Sequence, residues 1–168
     1  MGFLDWLFSQ PQPRTPIVPS ILPDIVKNEI MNGRLPHINA DKLFLKRGEI
    51  CHYADQALLV VEKTKKVVHS RSHGTSAPGL FKGNRHHWGG TTSKIEERIE
   101  TEEHKGILYI TNKRIIFTSQ NVGFDKQYRY LSSVKPYANA LELQYGSKIY
   151  ALFVPDGKIA YAVIKMLQ

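Results

Sequence analysis

The run Gly106 to Phe117, GILYITNKRIIF, constrains the fold more than any other part of this sequence. Two apolar, β-rich stretches flank the polar pair Asn112-Lys113, a pattern that predicts a tight antiparallel hairpin. With a side-chain period of two, Leu108, Ile110, Ile115 and Phe117 fall on one face, and such a face must be covered by a core. Further strands are expected around the hairpin. Ile50 to Ser70 is rich in β-branched residues and reads as two or three strands broken near Asp55 and Lys65. Thr92–Thr101, with Ile95 and Ile99, reads as another, followed by strands at Lys126–Val134, Ala140–Gln144 and Lys148–Val154.

Helical periodicity is confined to two places. Ile21, Leu22, Ile25, Val26 and Ile30 recur at helical spacing between Pro23 and the stop Asn32-Gly33, predicting a short helix over 23–32. At the other end Asp156 can cap a helix whose Ile159, Val163, Met166 and Leu167 make one apolar stripe. The glycine-rich stretch from Ser70 to Thr92 reads as a loop or irregular ribbon. The expected class is therefore mainly β: about seven strands closed by a C-terminal helix, with a short N-terminal helix.

Residues 1–20 read as an appendage. MGFLDWLF would be apolar nearly all round as a helix, and Pro11, Pro13, Pro16 and Pro19 make the next stretch an extended tether. Residues 21–40 form the short helix and a connector, and 41–168 the main domain. One cysteine, Cys51, excludes an internal disulfide framework and a four-cysteine zinc site. No run approaches the roughly 20 apolar residues that cross a bilayer, and no secretory leader pattern is present, so a cytoplasmic location is expected.

The hairpin run, with its glycine, its apolar residues, Thr111, Asn112, Lys113 and Arg114, and its closing Phe117, resembles the signature of the pleckstrin-homology-like superfamily, in particular its GRAM and bacterial members. LKRGE at Leu45–Glu49 resembles the approach to the first strand of those domains, and YLSSV at Tyr130–Val134 resembles the strand after the hairpin. The resemblance covers roughly residues 41–168 and implies a bent β-sandwich or barrel of seven strands plugged by the terminal helix. It also implies binding of phosphoinositides, peptides or other subunits, with no catalytic residues. The paired Lys and Arg of the lipid-binding first hairpin loop have no clear counterpart here.

The net charge is +8, and the excess is greatest over residues 41–90, which favours an anionic partner. Lys63, Lys65, Lys66, Arg71, Lys82 and Arg85 occur over 63–87 with no acidic residue between them, making this stretch the leading anion or lipid site. Strand alternation would instead scatter these cations over two faces. Lys113 and Arg114 can add to an anion site at the hairpin tip, or form an ordinary solvated turn. Glu96, Glu97, Glu100, Glu102 and Glu103 make an acidic run that reads as a solvated face or as partners for nearby lysines. Phe3, Leu4, Trp6, Leu7 and Phe8 form a second candidate contact, with a membrane interface or with protein.

No metal site is expected, because the adjacent His86 and His87 would face opposite ways on an extended strand. No cofactor is implied. The sequence lacks G-x-S-x-G, H-E-x-x-H, P-loop and G-x-G-x-x-G patterns, and an enzyme is not expected. The leading expectation is a non-enzymatic domain that associates peripherally with anionic lipid headgroups at the inner face of a membrane. The alternative is a protein-interaction or self-assembly module, including a homo-oligomer. Binding of single-stranded nucleic acid, with Tyr53, Phe81 and Trp88 as stacking platforms, ranks last.

Overall fold

The computed structural model of the chain describes residues 4–5, 16–78 and 85–168, the side chains of residues 73, 75–78 and 85–89 excepted. In chain order it contains helix α1 (Asp24–Met31), strands β1 (Cys51–Pro78), β2 (Arg85–Thr111), β3 (Arg114–Ser119) and β4 (Gly123–Gln127), a 3-10 turn (Tyr128–Tyr130), strands β5 (Ser133–Pro136), β6 (Ala140–Tyr145) and β7 (Lys148–Phe153), and helix α2 (Gly157–Leu167). The seven strands form one sheet in the order β4-β3-β2-β1-β7-β6-β5. The expected class, mainly β with a C-terminal and a short N-terminal helix, is the observed one.

The chain divides into two compact units, Met1–Val61 with Glu102–Gln168, and Glu62–Thr101. The first holds the core. Ile110 pairs with Ile115 and Leu108 with Phe117, and all four are buried, as the alternation in the sequence predicts. Gly106 is required by a close approach, since a β-carbon there would stand 2.1 Å from the Thr118 carbonyl oxygen. The sheet bends over this face. Phe124, on the edge strand β4, reaches Tyr150 on β7 with ring centroids 4.2 Å apart, although three strands lie between them in the sheet.

Helix α2 covers the bent sheet with Ile159, Ala160, Val163 and Ile164. Its start is fixed by Asp156, whose carboxylate accepts hydrogen bonds from the backbone N–H groups of Lys158 and Ile159. In α1 only Ile30 is fully buried, while Ile25 is exposed, so the expected stripe is only half used.

Four expectations are corrected. The expected two or three strands over Ile50–Ser70 are one continuous strand that begins at Cys51. Asp55 does not break it, because its carboxylate accepts from Ser20 Oγ and from the Ile21 backbone N–H, each at 2.7 Å. The glycine-rich stretch is largely strand, since β1 runs to Pro78 and β2 begins at Arg85. The expected strand Lys126–Val134 is split by the 3-10 turn. Tyr128 there turns inward and its hydroxyl donates to the Thr111 carbonyl at 2.6 Å. Finally, the N-terminal stretch is not wholly an appendage. Leu4 is completely buried against Leu58, Val60, Ala140, Ala151 and Phe153, on the side of the sheet opposite Leu59 and Leu141.

Candidate functional site

The hairpin tip is a structural latch. Two residues, Asn112 and Lys113, separate β2 from β3, and Thr111 holds the turn by accepting hydrogen bonds at Oγ1 from the N–H groups of Lys113 and Arg114. Its own hydroxyl donates to Glu49 at 2.7 Å. Arg114 points inward, with Nε donating to Glu49 at 2.8 Å, Nη2 donating to the Phe44 carbonyl, and Nη1 paired with Asp125. Burial pushes the Glu49 carboxyl up, but hydrogen bonds from Arg114, from the Lys46 backbone N–H and from Thr111 together hold it below the ordinary glutamate range.

The remaining tip residues grip the same approach to β1. Asn112 accepts from the Ile50 N–H and donates to the Gly48 carbonyl, and Lys113 Nζ donates to the Arg47 carbonyl. Gly48 takes φ +70°, a conformation that suits glycine. Arg114 is thus committed to two carboxylates, and the expected anion site at the tip is corrected for it: its guanidinium neutralises Glu49 and Asp125. Neither acidic partner stands out in the sequence, because their charges converge on Arg114 only in the folded chain.

The leading candidate, the basic stretch, falls in the second unit. There residues 62–78 of β1 run beside residues 85–101 of β2, and none of the described side chains is buried. Lys65 Nζ lies 3.4 Å from Glu100, Lys66 Nζ 3.6 Å from Glu97, and His69 Nε2 3.5 Å from Glu96. The basic and acidic runs of the sequence are therefore the two strands of one ribbon, each run neutralising part of the other. Alternation puts Lys63, Lys65, Val67, His69 and Arg71 on one face and Lys66 and Val68 on the opposite one. The cations do not form a single basic surface.

The two faces differ in character. On the first, His69, Arg71, Thr92, Lys94 and Glu96 line a shallow pocket of about 380 Å³. Lys94, absent from the expected set, lines the same pocket as Arg71. The second face carries Val68, Ile95 and Ile99, which are 59%, 62% and 65% exposed. Both outer edges of the ribbon are open: among the described residues β7 pairs with β1 at Leu58–Val60 and β3 pairs with β2 at Gly106–Ile110, and no strand pairs farther along.

Of the expected residues, Lys82, Phe3, Trp6, Leu7, Phe8 and Phe81 lie outside the described residues, as do the side chains of Arg85 and Trp88. Leu4 is in the core and is corrected as a membrane contact. Asp5 beside it accepts hydrogen bonds from Tyr137 Oη at 3.0 Å and Lys135 Nζ at 3.2 Å. Tyr53 is fully buried and offers no stacking platform. Cys51 is also buried, and burial pushes its thiol up to about 11, far from a reactive thiolate at neutral pH. Among the described residues no helix is long and apolar enough to cross a membrane. In comparison with known proteins, the chain matches no family model, no curated protein and no solved structure.

Proposed function

We propose that this chain is a non-enzymatic binding module whose working surface is the ribbon formed by residues 62–78 and 85–101, and that its partner is a protein. One observation carries this reading: among the described residues two long strands present open edges and an exposed Val68, Ile95 and Ile99 face, with no buried side chain of their own. A free two-stranded ribbon is marginal in water and gains most by adding a strand or covering its apolar face. The resemblance of Gly106–Phe117 to the pleckstrin-homology-like superfamily supports a role as scaffold for the first unit, since Thr111 to Arg114 are spent on the latch to Arg47–Ile50.

A second reading, peripheral association with an anionic membrane, draws support from the pocket where Arg71 and Lys94 stand together. It is weakened by the burial of Leu4 and by the pairing of Lys65 and Lys66 with glutamates. The two readings separate by site-specific photo-crosslinking in the source cell, with the photoreactive side chain at Ile95 and, as a control, at the exposed Ile25 of α1. Protein adducts from position 95 and none from 25 are expected. No adducts at 95, together with flotation of the chain on vesicles containing anionic lipid, would transfer the function to the membrane.

A further inference from the structure

We infer that the ribbon joins copies of this chain head to tail, the β1 edge of one copy accepting the β2 edge of the next. The inference rests on the binding-module reading and names the partner as a second copy of the same chain. Its basis is the charge on the two open edges. Over residues 62–72 the β1 strand carries Lys63, Lys65, Lys66 and Arg71 against Glu62 alone. Over 92–101 of the same ribbon the β2 strand carries Glu96, Glu97 and Glu100 against Lys94 and Arg98. Over these two stretches one edge is strongly basic and the other carries a small excess of glutamate.

That difference selects the mode of pairing. Two β1 edges brought together would set lysines beside lysines, and two β2 edges would set glutamates beside glutamates, both unfavourable across a strand pair. Lysine on an open edge is a common guard against such like-with-like pairing. It does not guard against the acidic edge of a neighbour. In a β1-to-β2 junction each lysine row stands between two glutamate rows, repeating between chains the contacts that Lys65 makes with Glu100 and Lys66 with Glu97 within one chain. Neither stretch contains a proline or glycine that would interrupt added pairing.

The apolar residues fit the same arrangement. Ribbons joined edge to edge bring Val68, Ile95 and Ile99 of successive copies into one band on a single face of the widened sheet. Unlike a two-fold dimer, which uses the same patch on both partners and stops at two, an edge-to-different-edge contact leaves one edge of each kind open after every addition. Growth then continues to a ring or a filament.

Light scattering and sedimentation of the full chain over a range of concentrations test this. Expected is a mean mass beyond twice the 19.2 kDa of one chain, falling as salt is raised and the charge rows are screened. The K65E/K66E variant presents two acidic edges and the E97K/E100K variant two basic ones. Each alone should sediment as a single chain, and an equal mixture should regain the high mass. Since each reversal also removes cross-strand pairs inside the ribbon, the four-fold variant K65E/K66E/E97K/E100K restores those pairs and should assemble by itself. A plateau at two chains that survives either reversal overturns the inference in favour of a two-fold contact. So does a mixture that stays monomeric while the unaltered chain assembles. A chain that is monomeric at every concentration also overturns it, yet adducts from position 95 to a different protein would leave the binding-module reading standing.

Discussion

Strand β1 has two halves that the chain treats in opposite ways. From Cys51 to Val60 nearly every side chain is buried, odd and even positions alike, because β7 flanks the strand at Leu58–Val60 and its two faces are covered by the main core on one side and by the clusters around Leu4 and around Cys51, Tyr109 and Ile116 on the other. From Glu62 onward the same strand, with charged and small polar residues in place of most of the apolar ones, has no buried side chain among the described residues. Among the described residues only β2 accompanies it there. The contrast teaches that β-propensity sets the backbone conformation of both halves, whereas the number of neighbouring layers decides whether a side chain holds the fold together or is left for a partner.

Substitutions can break that contrast from the first half or sharpen it from the second. The largest effect is expected at the latch. Arg114→Ala leaves Glu49 buried without its cation, which should cost about 3–5 kcal/mol in the denaturant midpoint of the first unit. Next is Leu4→Ala, expected to cost about 2–3 kcal/mol in the same measurement because the side chain is fully enclosed. A negligible change there would mean that the N-terminal residues are not held on the sheet and are available to a membrane.

Acid sharpens the comparison through Glu49. Its folded carboxyl titrates lower than in the unfolded chain, so the stability it contributes is complete above the ordinary glutamate range and drains away as pH falls through the lowered folded value. Urea midpoints measured from pH 7 downward should show this fall, and Glu49→Gln should flatten it. Asp156→Ala, which strips the cap from α2, is expected to cost about 1 kcal/mol by thermal melting. The smallest effect belongs to the ribbon: Lys65→Ala breaks an exposed pair and should move core stability by no more than about 0.5 kcal/mol. A larger loss would show that the core depends on the ribbon, contrary to the contrast drawn above.

Local patterning was legible wherever a single element carries its own signal. The hairpin register follows from the two-residue alternation of Leu108, Ile110, Ile115 and Phe117, and α2 follows from its cap and stripe. Continuity was not legible at Asp55, because a carboxylate in a strand reads as a break unless its partners, here Ser20 and Ile21, are known. Similarly, the glycines between Ser70 and Thr92 read as loop, although the ladder between β1 and β2 carries much of that stretch as strand. The candidate site was half legible. Both charged runs stand out in the sequence, but that they neutralise each other requires the folded strands to bring Lys65 to Glu100 and His69 to Glu96.

By itself, then, the sequence determined the local conformations: β backbone over the apolar and β-branched runs, a turn at Asn112-Lys113, helices at the two periodic stretches, and an excess of positive charge. These depend on side-chain periodicity and backbone preference, which act over a few residues. Tertiary structure alone decided that Arg114 faces Glu49 and Asp125, that Leu4 is core, and that basic and acidic runs share one ribbon with two open edges. Each of those outcomes depends on groups tens of residues apart meeting at hydrogen-bond distance, and neither spacing nor composition records which distant group will be there.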